Sequence, residues 1–444
     1  MSRSQVIPAI NPGILRDLLS RAPGGETSTG ARVVSGSIIM LAGSALVSGF
    51  NFFFNVAMAR MLGPARFSQV TAAATILMLF SAVTLSFQLV CAKFIARNTT
   101  AYGRRRIYEK LIRRSWMFGI SLSIVLILFS RQFADYLQIR DNKLLIVLAL
   151  AIAFYVPLGV RRGWMQGLCE FPKLTWNFLL EAALKLGFAL LLVYIGYGVF
   201  GAVGALSASV LGAYLFTVRN KPHKNEAQDA AARFEPASFR EGMQAIVFFV
   251  GQVVINNIDI LMVKHFFPPA EAGIYAAVAL VGRVLYFFCW SVVSAMFPIS
   301  AGAEKEESAW QVLRWPLLVV GAMSGIAVAV MAAFPEPIMQ LLFGANFHQS
   351  GHLLALYAAL TGIYALAVTL IAFEMSRKIA NTGWLQLLFS GMVVLGIALF
   401  HSTLRDVAMV QLVLMLLLLA LVSLPFVIGH RRRRAGAGKM EEPA

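Results

Sequence analysis

Long apolar runs alternate with short polar or basic stretches along almost the whole chain. About twelve runs fill the chain from Val33 to Gly429, each near the ~20 residues with which a helix crosses a hydrocarbon core. The predicted spans are 33–62, 67–96, 116–137, 144–168, 175–197, 201–218, 243–266, 273–300, 312–334, 353–375, 383–400 and 407–429. The pattern predicts an all-α polytopic membrane protein with about 12 transmembrane helices.

The polar stretches between the runs indicate how the chain is divided. Six spans precede and six follow the cytoplasmic linker predicted at 219–240, which predicts an N-terminal six-helix bundle at 33–218 and a C-terminal one at 241–429. Segment 1–32 lacks an apolar stretch of signal-peptide length and is expected to be a flexible cytoplasmic tail. Segment 430–444 is expected to be a basic cytoplasmic tail.

Composition and charge support a multi-pass membrane protein. The chain is 59% hydrophobic and 13% charged, and its net charge is +17. With the amino terminus inside the cell, the predicted cytoplasmic segments hold about four times as many Lys and Arg residues as the outer segments, as the positive-inside rule requires. Both termini are therefore expected to be cytoplasmic. Topology and attraction to anionic phospholipids account for the basic excess, so no nucleic acid partner is indicated.

An internal repeat relates the two predicted bundles. A shift of 205 residues aligns Asn51 with Asn256, Arg60 with His265, Pro64 with Pro269 and Ala72 with Ala277. Because each half holds an even number of predicted spans, both halves begin on the same side of the membrane. We therefore expect a parallel pseudo-two-fold repeat around a central cavity that opens alternately to the two sides.

Three short stretches carry a family resemblance. They are NVAMARMLGPARFS from Asn55, NIDIL from Asn257 followed by PAEAGIYAA from Pro269, and LLFGANF from Leu341. They resemble the first hairpin, the seventh and eighth spans and the loop after the ninth span of polysaccharide and lipid-linked oligosaccharide flippases. These flippases belong to the multidrug/oligosaccharidyl-lipid/polysaccharide (MOP) exporter superfamily.

The resemblance implies a function and a location. The protein would move an undecaprenyl-pyrophosphate-linked oligosaccharide repeat unit from the cytoplasmic to the outer leaflet of the bacterial inner membrane. The product would serve cell-surface polysaccharide biosynthesis, of O-antigen or exopolysaccharide, with a polysaccharide polymerase and glycosyltransferases as partners. A pyrophosphate and a sugar cannot cross hydrocarbon unaided, so this task needs a polar and preferably cationic cavity.

Charged residues inside predicted spans are the first candidates for that cavity. Asp259 and Arg283 lie at similar depths in the seventh and eighth spans and can meet, either as a structural ion pair or with Arg283 free to hold phosphate. Glu181 and Lys185 share one helix face at i, i+4 spacing, so they can neutralise each other. Alternatively, Lys185 exchanges Glu181 for a substrate phosphate, and Glu181 then takes a proton. Asp259 and Glu181 are therefore the coupling or ion-pair candidates.

Further candidates lie at span ends and among uncharged polar residues. Arg161 and Arg162, at the inner end of the fourth span, are either snorkelling anchors or a bidentate receptor for a diphosphate. Arg60, at the outer end of the first span, either assists release or anchors its helix. Uncharged candidates recur in the hairpins that begin each half, where they either join helices or contact sugar hydroxyls; they are Asn51, Asn55, Asn256 and Asn257.

Other classes of function fit the pattern less well. An enzyme acting on the substrate would need acidic or histidine groups on a sizeable outer loop, and the predicted outer connections are short. The spacing of Cys and His indicates no metal site. No cofactor is expected, and the absence of a GxxxxGK[ST] motif argues against ATP use. Coupling to an H⁺ or Na⁺ gradient or to the membrane potential stays open. A cation-coupled multidrug exporter of the same superfamily and a peptidoglycan lipid-precursor flippase are the alternatives.

Overall fold

The computed structural model describes residues 29–98, 100–218, 239–301, 306–377 and 383–437. Within these ranges all regular secondary structure is helical. The N-terminal tail before residue 29, the linker 219–238 and residues 438–444 lie outside the described residues, so the expectations for those segments stay predictions.

The helices follow one another with short connections. In chain order they are α1 Thr29–Arg97, α2 Ala101–Leu128, α3 Ser130–Tyr136, α4 Lys143–Gly167, α5 Phe171–Leu192, α6 Gly198–Val218, α7 Phe239–Phe266, α8 Pro269–Ala301, α9 Glu306–Ala333, α10 Pro335–Phe343, α11 Gly351–Arg377, α12 Gly383–Leu399 and α13 Leu404–Ala437. A π-turn at Val193–Tyr197 joins α5 to α6, and a 3₁₀ turn at Ala345–Ser350 follows α10.

The apolar runs predicted from the sequence all lie in helices, which confirms an all-α polytopic membrane protein. Among the described residues, eight helical stretches are long and apolar enough to cross a membrane. Two of them, Ala42–Arg97 and Phe171–Thr217, have 56 and 47 residues. At 1.5 Å per residue they measure roughly 70–85 Å, more than twice a ~30 Å hydrocarbon core, so each is long enough to cross twice. The count of twelve crossings stays a prediction.

Both of these long stretches are interrupted by glycines with positive φ. Gly63 in α1 has φ 71° and ψ 171°, and Gly196 in the π-turn has φ 100°. A side chain is strained at such φ values, so glycine permits the break in each helix. Pro64 then begins the second half of α1, where its fixed φ suits a helix start.

The last helix continues beyond the predicted last span, which ends at residue 429. Helix α13 reaches Ala437 and includes the four arginines 431–434. The cytoplasmic location of the basic tail stays a prediction.

The helix bounds repeat along the chain with the interval seen in the sequence. Adding 205 to the residue numbers of α2, Ala101–Leu128, gives the bounds of α9, Glu306–Ala333. The same shift carries Ser130, the first residue of α3, to Pro335, the first residue of α10, and Pro64 to Pro269 at the start of α8. These shared intervals support the internal repeat. The division into two six-helix bundles stays a prediction.

Candidate functional site

A buried arginine organises the first charged network, between α4 and α5. The side chain of Arg162 is 3% exposed. Its Nε donates to Oδ1 of Asn177 at 2.7 Å, and its Nη2 lies 2.5 Å from Oε2 of Glu181 in an ion pair. The guanidinium also stacks over the Phe178 ring at 4.1 Å. Asn177 extends the network to α6 by donating to the carbonyl of Ala213 at 2.8 Å, so Arg162 holds three helices together.

Lys185 lies one helical turn beyond this network and has different partners. Its Nζ donates to Oδ1 of Asn51 in α1 and lies 5.2 Å from the centre of the Phe54 ring. Asn51 also accepts, through its backbone carbonyl, from the side chain of Asn55 at 2.8 Å. The i, i+4 ion pair expected with Glu181 is therefore replaced: Glu181 pairs with Arg162, and Lys185 is left with a neutral amide.

Arg161 turns away from Arg162, because successive residues of a helix point in different directions. Its guanidinium donates to the hydroxyls of Thr217 at 3.1 Å and Tyr214 at 2.8 Å and stacks over the Tyr214 ring at 4.0 Å. A cavity of about 10 Å³ beside it is near the size of one water, which suits the buried Nε that has no protein acceptor in the described part of the chain. The structure does not bring Arg161 and Arg162 together as a diphosphate receptor.

The second charged network joins α7, α8, α11 and α13 around one carboxylate. Asp259 is 1% exposed, and its Oδ1 lies 2.7 Å from Nη2 of Arg283. Its Oδ2 accepts from the hydroxyls of Tyr275 at 3.1 Å and Tyr357 at 2.8 Å. Gln411 adds a fourth helix by donating to the Tyr275 hydroxyl at 2.7 Å. Asp259 and Arg283 therefore form the ion pair that their depths predict, and Arg283 keeps 15% of its side chain exposed.

The uncharged candidates of the second half lie on the same helix as Asp259. Asn256 and Asn257 are half-buried, and each donates to a backbone carbonyl one turn earlier, at 2.8 Å. Neighbouring Gln252 donates to the hydroxyl of Tyr286 at 2.5 Å. Both side chains are therefore anchored to their own helix.

Arg60 lies apart from both networks, at the end of the first half of α1. Its Nε donates to the carbonyl of Leu342 at 2.7 Å and its Nη2 to the carbonyl of Leu341, both in the last turn of α10. Arg60 therefore connects the two halves of the chain, which matches the anchoring alternative more closely than a free role in release.

Sequence reasoning missed several members of these networks. Tyr275, Tyr357 and Gln411 complete the hydrogen bonding of Asp259, and Asn177 is essential to the Arg162 network. Each is a polar group inside a predicted apolar span, where unsatisfied polar atoms are costly. A polar residue inside an apolar span therefore indicates that its side chain has a hydrogen-bond partner, but the sequence does not show which residue that partner is.

The sequence of this chain matches one known protein family. Residues 33–303, more than half of the chain, match the model of a family described as "Polysaccharide biosynthesis protein". The chain belongs to the polysaccharide biosynthesis protein family. A search of curated protein sequences finds no match.

Solved structures of MOP superfamily transporters share the fold of this family member. The inward-facing form of a multidrug resistance MATE transporter matches with a TM-score of 0.71 and 15% identity, covering 91% of this chain and 99% of the other. An outward-facing MATE structure gives 0.63 and 16%, covering 93% and 99%. A MOP transporter from Pyrococcus furiosus Vc1, whose reverse binding-pocket polarity suggests a different function, gives 0.56 and 16%, covering 93% and 99%.

These findings confirm the fold expected from the sequence. This polysaccharide biosynthesis protein has the fold of MOP superfamily transporters.

Proposed function

We propose that this protein moves an undecaprenyl-pyrophosphate-linked oligosaccharide from the cytoplasmic to the outer leaflet of a bacterial inner membrane, with Lys185 as a phosphate contact. The observation that carries the proposal is the partner of Lys185. Its ammonium hydrogen-bonds to the neutral amide of Asn51, and no carboxylate among the described residues lies at ion-pair distance from it. The family description, which names polysaccharide biosynthesis, supports this class of substrate.

Electrostatics favours Lys185 over the two arginines of the charged networks, Arg162 and Arg283, as the phosphate contact. Arg162 and Arg283 each have a carboxylate partner at 2.5–2.7 Å, which a substrate phosphate would have to displace. Exchanging a neutral amide for a phosphate creates a charge-assisted hydrogen bond and leaves no buried acid unpaired. Side-chain amides on the facing helix and in the second half are available to sugar hydroxyls. They belong to Asn51, Asn55, Asn256 and Asn257.

The rival is a cation-coupled multidrug exporter of the same superfamily. A cationic drug needs an acidic group that is free to bind it. Asp259 is fully engaged by Arg283 and two tyrosine hydroxyls, and Glu181 is engaged by Arg162. The acids of both networks are thus occupied, which favours an anionic substrate. Of the two coupling candidates, Glu181 is the more accessible, because 18% of its side chain is exposed against 1% for Asp259.

The test is transbilayer movement of an undecaprenyl-pyrophosphate oligosaccharide in liposomes containing the purified protein. Lys185→Gln is expected to slow movement by about tenfold or more, since hydrogen bonds to charged groups contribute roughly 1.5–3 kcal/mol. Lys185→Arg should keep most of the rate. Lys173→Gln is the matched control, because Lys173 is an exposed lysine near the start of the same helix that pairs with Glu170. An intact parent that moves no lipid but exports organic cations would overturn the proposal.

The orientation is part of the proposal. With both termini cytoplasmic, Arg140 faces the outside and the exposed Cys169 faces the cytoplasm. In intact cells, a membrane-impermeant maleimide should label Arg140→Cys in a background whose native cysteines are replaced. It should label native Cys169 only after permeabilisation. The reverse labelling pattern would show that the topology is inverted.

The proposal also includes partners. We expect anionic phospholipids at the basic helix ends, and a polymerase and glycosyltransferases as protein partners.

A further inference from the structure

Two contacts between distant parts of the chain lie at one end of the helical bundle. In the first, the guanidinium of Arg60 donates to the carbonyls of Leu341 and Leu342, across 281 and 282 residues of sequence. These carbonyls belong to the last turn of α10, where the backbone oxygens have no N–H donor within the helix. The negative end of the helix dipole is also there, so a cation is a suitable partner.

The second contact has the same form with the halves exchanged. Nδ1 of His265, at the end of α7, lies 2.7 Å from the carbonyl oxygen of Tyr136, the last residue of α3. Because a carbonyl oxygen only accepts, Nδ1 is the donor. The two rings stack with centroids 3.7 Å apart and planes 9° apart. Gln138 completes the contact by donating to the carbonyl of His265 at 2.8 Å.

The 205-residue repeat makes these two contacts equivalent. It carries Arg60 to His265 and Tyr136 to Leu341. In each contact, a nitrogen donor at the end of a long helix reaches the last turn of the short helix that follows the third span of the other half. One contact would be a local detail. Here the first half donates to the second in one contact, and the second half donates to the first in the other. The two contacts therefore join the halves symmetrically at one face.

Backbone packing brings the halves together at the same face. A Cβ added at Gly273, near the start of α8, would overlap the carbonyl of Pro64 at the break in α1. The rings of Phe67 and Phe347 also meet edge to face, with centroids 6.3 Å apart. The halves are therefore also in contact at Gly273 with Pro64 and at Phe67 with Phe347.

We propose that the Arg60 contact with α10 and the His265 contact with α3 are paired latches that hold this face of the transporter closed, and that opening it requires both to break. The proposal concerns the conformational equilibrium and does not depend on the identity of the substrate. If the orientation above is right, the face is the outer one, and the structure is open or poised to open toward the cytoplasm. The better match to the inward-facing transporter, 0.71 against 0.63, agrees with that state.

Distance measurements between spin labels test the latches directly. In a cysteine-free background, labels at Arg140→Cys and Glu336→Cys report the latched face, and labels at Lys173→Cys and Arg314→Cys report the opposite end. All four side chains are at least partly exposed. The protein is placed in lipid nanodiscs without substrate, so the result stands apart from any transport assay.

Two substitutions release the latches selectively. Arg60→Gln removes the charge, and His265→Phe keeps a ring to stack on Tyr136 but removes the Nδ1 donor. Each is expected to raise the population with a longer distance at the latched face by about threefold, since the contacts are exposed hydrogen bonds. Both together should raise it by about tenfold and shorten the distance at the opposite end.

Matched controls lie at the same face. Arg66→Gln changes another exposed arginine. His401→Phe changes a histidine just after α12, whose Nδ1 lies 3.1 Å from the carbonyl oxygen of Ile397 in α12 and whose ring stacks on Phe266. Both should leave the distances unchanged. The proposal is overturned if the double variant, shown to be monodisperse, has the parent's distance distribution, or if the controls open the face equally. If the double variant is not monodisperse, the single variants decide, with Arg60→Lys expected to restore closure.

Discussion

The two charged networks of this protein use the same kinds of residues, but they leave their cations in different surroundings. In the second half, Asp259 is the centre: one arginine and two tyrosine hydroxyls converge on a carboxylate that is 1% exposed. In the first half, Arg162 is the centre, and Glu181 and Asn177 converge on it. In the second network, Asp259 neutralises Arg283. In the first, Glu181 neutralises Arg162, while Lys185, one helical turn from Glu181, hydrogen-bonds to the neutral amide of Asn51.

The difference shows how a membrane protein can keep a usable charge. A buried cation with a carboxylate partner is stable but difficult to transfer to a ligand, because its departure leaves an unpaired acid. A cation held by an amide is less stable, and a ligand that offers a phosphate improves its surroundings. We therefore expect substitutions in the second network to affect mainly the stability of the protein, and substitutions of Lys185 to affect mainly transport.

The largest expected effect comes from removing the acid at the centre of the second network. Asp259→Ala leaves Arg283 buried without its carboxylate and removes the acceptor of two tyrosine hydroxyls, so it should destabilise the protein by roughly 3–5 kcal/mol. The thermal unfolding midpoint in detergent measures this. Arg283→Gln should destabilise less, because Asp259 keeps both tyrosine donors. Equal losses in the two variants would contradict the central place of Asp259.

A smaller loss is expected in the first network. Glu181→Gln keeps the shape of the side chain and leaves Arg162 with Asn177 and the Phe178 ring, so the destabilisation should be roughly 1–3 kcal/mol. The same unfolding assay applies. In the transport assay, the proposed role of Glu181 predicts that this variant loses its dependence on a proton gradient. If that dependence persists, Glu181 is structural only.

Removing one hydroxyl from the second network should have a moderate effect. Tyr357→Phe takes away one of two donors to Oδ2 of Asp259 without changing the ring, which should lower stability by about 1–2 kcal/mol. Combined with Arg283→Gln, it forms a double-mutant cycle. A coupling free energy near zero would show that the two donors act independently and that the network is only a set of separate contacts.

The smallest effect on stability is expected at the partner of Lys185. Asn51→Ala removes the acceptor of the lysine and should change the unfolding midpoint little, because Lys185 is half-buried and can reach other acceptors. Transport should still change, since the lysine is no longer positioned. Ser81→Ala is the control, because the Ser81 hydroxyl donates within its own helix, to the carbonyl of Met78, and has no proposed role in binding. A stability loss as large as that of Asp259→Ala would remove the contrast between the two networks.

Much of the fold follows from the sequence. Hydropathy located the apolar runs, and each lies in a helix, because a chain in hydrocarbon must satisfy its backbone internally. The Asp259–Arg283 pair also followed, since both charges lie at similar depths in neighbouring spans. These are local or nearest-neighbour properties, for which spacing is sufficient.

The rest depended on packing between distant segments. Spacing alone placed Glu181 beside Lys185, but Glu181 forms its ion pair with Arg162, which lies on another helix. The contact of Arg60 with α10 crosses more than 280 residues, and no pattern near Arg60 indicates it. The positions of Tyr357 and Gln411 around Asp259 likewise depend on how four helices pack, which periodicity does not determine.

The equivalence of the two cross-half contacts has an evolutionary consequence. In a symmetric dimer, residue i of one copy meets residue j of the other and the reverse contact also forms. Arg60 with Leu341 and His265 with Tyr136 follow this rule under the 205-residue shift. A half-length ancestor that paired with itself would have encoded such a contact once and used it twice. Duplication and fusion of such an ancestor would leave the two copies free to diverge, and this chain has arginine at one position and histidine at the other.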